Sequence, residues 1–205
     1  TVLPNAEMGN PAYIKHHGIE TVEQQTINIH GTLVDEEIIE TQQLVVATNT
    51  MPKEDWVRTR MFSWMAAFLH FNKVLQIPLI LTHVLCGVSY RDLIEAFLRP
   101  APESLPVLAE IQSIFRKQVE EILQGGADVT RSEEWLNLWW PTDEYVLIKL
   151  CTEHGHWENQ SKLDRFYVEA EIILTSLARQ PLPPSWLRDS INLNRYMMKR
   201  PFQTD

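Results

Sequence analysis

The stretch VVATNTMPKEDWVRTRMFSWMAAFLH, residues 45–70, contains the change of pattern that decides the fold. Before Pro52 the chain has a β-branched run, Val45-Val46, which is typical of a strand. After Pro52 the apolar residues recur at helical spacing, and two acidic residues lie in the first turn, where the helix dipole favours negative charge. Proline itself is tolerated at the start of a helix. The pattern predicts a strand that ends near residue 50 and a helix that begins just after it.

Helical spacing continues to the end of the chain. Glycine and proline breaks divide it into predicted helices at 53–74, 77–85, 104–124, 142–153 and 158–179, with shorter helices after Ser89 and around 186–198. The sequence therefore predicts a mainly α fold. It would be a multi-helix bundle of six or seven helices over residues 51–205, preceded by an extended N-terminal segment, residues 1–50, with one or two strands.

Composition excludes several classes of protein. The formal net charge is -9 and the chain has no block of lysine and arginine, which argues against nucleic acid as a partner. The most apolar stretch, residues 74–88, is interrupted by polar residues and proline and is shorter than a membrane span of about 20 residues. Cys86 and Cys151 are far apart and no signal peptide precedes them, which predicts reduced thiols and a cytoplasmic location.

The N-terminal segment lacks an evident partner. The strand at Leu44–Ala47 has no second strand pattern of comparable strength in the chain, and unpaired backbone groups are costly to bury. We therefore expect residues 1–50 to leave an upstream domain that supplies the missing sheet. A fragment without that domain could pair edge to edge with a second copy and form a homodimer.

Two stretches resemble a known family. LPNAEMGNPAYIKHHGIETV, residues 3–22, and residues 45–70 resemble the C-terminal region of cobalamin-binding radical S-adenosylmethionine (SAM) proteins. In that family a Pro-Asn-Ala turn leaves the catalytic barrel, and a strand that ends in Thr-Asn-Thr-Met leads to an Asp-Trp-Val helix and a Phe-Ser-Trp motif. The sequence departs from the family pattern at His17, where an aromatic residue is expected, and at Glu7, where a small or cyclic residue is expected.

The resemblance implies a function for the chain. Its parent would be a radical SAM enzyme of the methyltransferase or oxidoreductase type that uses a [4Fe–4S] cluster, S-adenosylmethionine and cobalamin. The family holds its cluster on a three-cysteine loop, which two distant cysteines cannot provide. The chain would then be an accessory C-terminal domain without a catalytic centre, packed on its own upstream barrel and cobalamin-binding domain and shaping substrate access. The alternative is an autonomous helical protein-interaction module.

Few residues are candidates for a site. The resemblance would place Asn5 at the mouth of the parent barrel, close to substrate or cofactor, whereas the alternative is a turn that merely ends a strand. Cys151, His154 and His156 have side chains that can bind zinc, but their spacing fits a solvated turn better than a metal site. The tryptophans and the remaining histidines are expected in the core or at its rim. We expect no catalytic residue in this chain.

Overall fold

The computed structural model describes residues 2, 6–27, 29, 40–135, 137–153, 160–178 and 183–198. In this part of the chain the α-helices are α1 (Pro11–His17), α2 (Lys53–Ala66), α3 (Gln76–Cys86), α4 (Tyr90–Phe97), α5 (Pro106–Leu123), α6 (Thr142–Thr152), α7 (Lys162–Leu177) and α8 (Pro184–Met197). The strands are β1 (Glu20–Gln25), β2 (Thr41–Ala47), β3 (Thr130–Ser132) and β4 (Leu138–Trp140).

The mainly α fold class is confirmed. The seven described helices after residue 51 match the expected number, and the strands form two small antiparallel sheets, β1 with β2 and β3 with β4. The short β3–β4 hairpin was not expected, so the body after residue 51 is not purely helical. Its tryptophan-rich sequence predicts core or rim positions and does not by itself indicate a hairpin.

The chain separates into two compact units. Unit 1 comprises residues 1–61 and 115–142, and unit 2 comprises residues 62–114 and 143–205. The predicted division into a linker, 1–50, and a helical domain, 51–205, stays a prediction. The proposed upstream barrel lies outside the chain, so its attachment through residues 1–50 stays a prediction.

Within unit 1, β2 has a partner in the chain itself. β1 and β2 pair in antiparallel register from Gln25↔Thr41 to Thr21↔Val45, with an irregularity between Glu20 and Thr21. Val2 also donates its backbone N–H to the Gln43 carbonyl at 2.8 Å. The expectation that the strand at Leu44–Ala47 lacks a partner is therefore wrong. β1 reads ETVEQQ, whose polar residues hid a strand that pairing stabilises.

Also within unit 1, the two stretches that carry the family resemblance meet. Asn10 caps α1 by accepting from the Ala12 N–H, and Gly18 ends it with a φ of 57°. Asn49 then donates its backbone N–H to the His17 carbonyl and its side-chain amide to the His16 carbonyl, both at 2.9 Å. The Asn49 turn after β2 thus closes the end of α1.

The loop before β3 is held by polar side chains of unit 1. Gln24 on β1 donates to the Gly126 carbonyl at 2.8 Å, and Arg60 on α2 forms an ion pair with Asp128. Gln118 on α5 donates to the Ala127 carbonyl at 2.8 Å. Side chains from three elements therefore fix one short loop, since each buried amide or guanidinium needs a partner.

Unit 2 has a core of aromatic and aliphatic side chains centred on α7. The Phe68 and Phe166 rings pack edge to face with centroids 5.7 Å apart, and both residues are fully buried. Ser89 caps α4 as predicted, and Ser161 with Asp164 forms a reciprocal capping box at the start of α7. The Ser89 cap was predicted from the sequence, whereas the Ser161 cap was not, and α7 begins at Lys162 and not at residue 158.

No single helix among the described residues is long and apolar enough to cross a membrane. One pair of helices, Lys53–Phe71 and Gln76–Cys86, has the required length and composition together, but it is bent by 98°.

Candidate functional site

The predicted site residues are only partly described. Asn5, His154 and His156 lie outside the described residues, and Cys151 lies half-buried on α6. Groups of three or more His, Cys, Asp or Glu side chains that could bind a metal ion do not occur among the residues that the structure describes. Because both histidines of the candidate zinc site fall outside that part, the interpretation of this stretch as a solvated turn stays a prediction.

A buried lysine organises a charge cluster in unit 2. Nζ of Lys162, at the start of α7, lies 2.6 Å from Oε1 of Glu110 and 2.5 Å from Oε2 of Glu153. Lys149 also forms an ion pair with Glu153. Burial by itself raises the pKa of Glu153, but the hydrogen bonds and charges of the two lysines outweigh it and hold that pKa below its ordinary value. The cluster joins α5, α6 and α7.

A second carboxylate joins α7 to the start of α5. Glu169 is fully buried and accepts the Val107 and Leu108 backbone N–H groups at 3.2 and 3.0 Å. Arg165 donates to the same carboxylate at 3.1 Å. The first N–H groups of a helix have no partner within the helix and carry partial positive charge, so a carboxylate stabilises them. Both charge clusters therefore hold helices together.

The end of α2 is irregular. After Ala66 the helix continues as a π-helical turn, Ala67–Phe71, in which the Asn72 N–H reaches the Ala67 carbonyl at 2.8 Å. Lys73 then adopts a φ of 59°, which residues with a side chain rarely do. The predicted single helix over 53–74 is thus interrupted, and π-helical turns occur frequently at functional sites.

Asn194 of α8 fixes the junction that follows. Its side-chain oxygen accepts the Ile77 N–H at 3.0 Å, and its amide donates to the Lys73 and Val74 carbonyls at 3.0 and 2.7 Å. The Tyr167 hydroxyl also donates to the Val74 carbonyl, at 3.0 Å. These bonds satisfy backbone groups that the helix break leaves unpaired.

Four rings form an aromatic cluster (His70, Phe71, His83, Tyr90) beside this junction. The His83 and Tyr90 rings stack with centroids 4.3 Å apart, and His70 contacts the edges of Phe71 and Tyr90 at 5.2 and 6.0 Å. Nδ1 of His83 lies 2.8 Å from the Val88 carbonyl and must donate to it, because a carbonyl only accepts. His83 therefore carries its proton on Nδ1.

His70 differs from His83 in its hydrogen bonding. Its Nδ1 atom is buried and has no hydrogen-bond partner in the part of the chain that the structure describes. Histidine on an apolar helix is usually a satisfied core residue, which was the expectation for both positions. His83 meets that expectation through the Val88 carbonyl, whereas His70 does not.

Two further side chains, Arg195 and His17, make local packing contacts. Arg195 forms an ion pair with Asp164, and its guanidinium lies 5.3 Å from the centre of the Tyr167 ring. Burial by itself raises the pKa of Asp164. Hydrogen bonds from Ser161 and the charge of Arg195 lower this pKa by more than burial raises it, so the pKa lies below its ordinary value. His17, where the resembling family has an aromatic residue, places its ring 4.2 Å from that of Tyr13.

Comparison with known proteins gives a match to part of a longer enzyme. No protein-family model matches the chain. The chain is 23% identical over 215 aligned residues to the cobalamin-dependent radical SAM methyltransferase TokK of Streptomyces tokunonensis. It is similar to part of a cobalamin-dependent radical SAM enzyme. The alignment covers 98% of this chain but 30% of TokK, so the chain spans less than a third of the length of that relative. The similarity agrees with the resemblance inferred from residues 3–22 and 45–70.

Sequence patterns missed the aromatic cluster. His70, Phe71, His83 and Tyr90 come from a π-helical turn and two further helices, and nothing in the spacing of residues indicates that turn. One signal was visible: α3, QIPLILTHVLC, contains no Asp, Glu, Lys or Arg. A helix without charged residues is normally buried on all sides, so exposed residues on α3 are unusual.

Proposed function

We propose that this chain is an accessory domain of a cobalamin-dependent radical SAM enzyme, which packs on the catalytic part of that enzyme and shapes substrate access. The observation that carries the proposal is the match of 98% of the chain to a minor part of TokK, a methyltransferase of that kind. A segment that aligns from end to end within a much longer enzyme is best explained as one of its domains.

The chain does not supply the residues for an iron–sulfur cluster. Its two cysteines lie on separate helices, Cys86 buried on α3 and Cys151 half-buried on α6, whereas such clusters are held by several thiolates brought together by closely spaced cysteines. We therefore propose that other parts of the enzyme hold the cluster, and the family resemblance implies the same for S-adenosylmethionine and cobalamin.

The ionic residues of unit 2 support a role as a scaffold. Lys162, Glu153 and Glu169 all have partners on neighbouring helices, as described above, and these contacts fix the helices against each other. A rigid helical body of this kind suits a domain that presents a fixed wall to a substrate. Specificity would then depend on the shape of that wall and of the catalytic part together.

The test begins with the reading frame upstream of Thr1. We expect it to encode a three-cysteine loop, and the longer polypeptide, purified and reconstituted without oxygen, to bind iron and sulfide and to produce 5′-deoxyadenosine from S-adenosylmethionine. Replacing the three loop cysteines by alanine is the control and should abolish both. A reading frame without such a loop, or a longer polypeptide with neither cluster nor product, would contradict the proposal.

The alternative of an autonomous interaction module is favoured by one observation, the exposed apolar side chains of α3, Ile80 and Val84. It predicts that the chain is expressed without a catalytic barrel and binds a separate protein. Purification of the chain from its native source at its full natural length separates the two functions.

A further inference from the structure

The outer face of α3 is exposed although the helix is apolar on every side. Leu79 and Thr82 on the inner face are fully buried, whereas Ile80 and Val84 are 40% and 68% exposed. These two residues are four apart and so share one face of the helix. Because a helix that is hydrophobic all round is normally buried all round, the outer face of α3 needs a cover.

The aromatic cluster adjoins this face. His83 lies on α3 three residues after Ile80, and its ring stacks on Tyr90, which is 39% exposed. Phe71, at the other end of the cluster, is 73% exposed. Exposed aromatic and aliphatic side chains are typical of the centre of protein interfaces. We name Phe71, Ile80, Val84 and Tyr90 the α3 surface.

An unsatisfied polar atom lies beside the α3 surface. Nδ1 of His70 is buried and has no hydrogen-bond partner among the described residues, and the His70 ring contacts both Phe71 and Tyr90. Buried polar groups in folded proteins nearly always have a partner. This chain itself already shields that atom from solvent, so the atom marks a tightly packed edge of the α3 surface, and the case for a cover rests on the exposed apolar side chains.

We propose that the α3 surface is the docking site of the catalytic part of the enzyme to which this chain belongs. This inference rests on the proposed function. The α3 helix itself is uncharged, and interfaces that are permanent are more apolar than transient ones. TokK has more than two thirds of its length outside the aligned region, so a protein of that kind contains a large covalently attached partner for such a surface.

The test measures how accessible the α3 surface is to a reagent in the longer polypeptide encoded by the same reading frame. The background carries Cys86→Ser and Cys151→Ser, and it keeps the native cysteines that bind the cluster, which the bound cluster protects from labelling. Val84→Cys and Ile172→Cys are made separately in this background. Ile172 on α7 is the matched control, because it is an aliphatic residue that is 50% exposed in this chain, less than Val84 at 68%. A maleimide reagent reports the accessibility of each new thiol.

We expect the thiol at position 84 to react at least about 100-fold more slowly than that at position 172, although residue 84 is the more exposed in this chain. In guanidinium chloride both should react at the same rate. Equal rates in the folded polypeptide would overturn the proposal. A slow rate at position 84 that rises on dilution would also overturn it, because cover by a second copy depends on concentration and cover within one polypeptide does not.

The outcome is separable from that of the proposed function. Cluster binding and 5′-deoxyadenosine production test whether the parent is a radical SAM enzyme, whereas thiol labelling tests which surface is covered. An active enzyme with equal labelling at positions 84 and 172 would overturn the docking site and leave the proposed function standing. A covered position 84 in a polypeptide that lacks the three-cysteine loop would overturn the proposed function and, with it, the identity of the docking partner.

Discussion

Single residues in this protein are constrained in two different ways, by backbone conformation and by close neighbours. Gly18 and Gly87 both end a helix with a positive φ, 57° and 66°. A Cβ atom at Gly18 would overlap the side chain of Asn49, whereas one at Gly87 would meet nothing within 4 Å. Substitution of Gly87 therefore tests the effect of backbone conformation on stability alone, whereas substitution of Gly18 adds the effect of steric crowding.

Gly87→Ala should lower the free energy of unfolding by about 1 kcal/mol, because of backbone strain alone. Gly18→Ala should cost about 1–2 kcal/mol more, since Asn49 must move and lose its hydrogen bond to the His16 carbonyl. Urea unfolding measures both. In an Asn49→Ala background the extra cost at Gly18 should largely vanish, and its persistence would show that the crowding is not with Asn49.

Trp64 is 5% exposed, and Trp186 on α8 is 52% exposed. Trp64→Ala should lower the free energy of unfolding by about 3–5 kcal/mol, as the loss of a buried aromatic side chain does. Trp186→Ala should cost under about 1 kcal/mol, because it removes less buried surface. Thermal unfolding followed by circular dichroism compares them, and similar losses in both variants would contradict the burial of Trp64. His156 lies outside the described residues, and because its stretch is predicted to be a solvated turn, His156→Ala should cost under about 0.5 kcal/mol.

At the scale of elements, side chains from one helix complete the ends of others. Asn194 replaces the missing hydrogen-bond partners where α2 gives way to α3, and Glu169 does the same at the start of α5. Lys162 links α7 to α5 and to the end of α6. The junctions between helices in unit 2 thus depend on a few buried polar residues.

Asn194→Ala should lower the free energy of unfolding by about 2–3 kcal/mol, because it leaves buried backbone groups at the α3 junction without partners. Asn192→Ala, on the exposed side of the same helix, is the matched control and should change stability by less than about 0.5 kcal/mol. Chemical denaturation of both variants provides the comparison. An Asn194 variant as stable as the control would mean that water replaces the lost bonds fully.

The Lys162 cluster predicts a pH dependence. Because the folded pKa of Glu153 lies below its ordinary value of 4.5, its ionised form stabilises the fold above that pH, and this contribution is lost as pH falls through the folded pKa. Lys162→Met should therefore be destabilised relative to the native chain at pH 7, with a difference that shrinks below about pH 4.5. Lys117→Met, which affects an exposed pair with Glu121, is the control. The unfolding free energies of the native chain and the Lys162 variant are measured from pH 7 to pH 3. A constant difference between them over this range would contradict the pairing of Lys162 with Glu153.

At the scale of the whole molecule, the chain is a helical body with two small sheets, and its similarity is to part of a longer enzyme. The 205-residue chain by itself should bind no iron–sulfur cluster after anaerobic reconstitution and should form no 5′-deoxyadenosine, since its two cysteines cannot hold the cluster. Iron and sulfide analysis and product chromatography measure this. Stoichiometric iron and sulfide together with product would show that the chain contains a catalytic centre.

The sequence by itself determined the features that depend on neighbouring residues. Apolar spacing after Pro52, the Ser89 cap and the breaks at Gly87 and Gly125 predicted the helices closely, because helical hydrogen bonds and caps join residues three or four apart. Two short stretches, residues 3–22 and 45–70, carry the resemblance to radical SAM proteins.

Only the tertiary structure decided the features that join distant residues. The polar strand β1 is stabilised by pairing with β2, and the junction after the π-helical turn is held by Asn194 from more than a hundred residues away. The partnerless Nδ1 of His70 appears only once three elements converge. A strand's hydrogen bonds and a buried side chain's partners come from whichever residues the fold brings close. Spacing along the chain carries no record of that choice, because the energy of such contacts depends on burial and geometry in three dimensions.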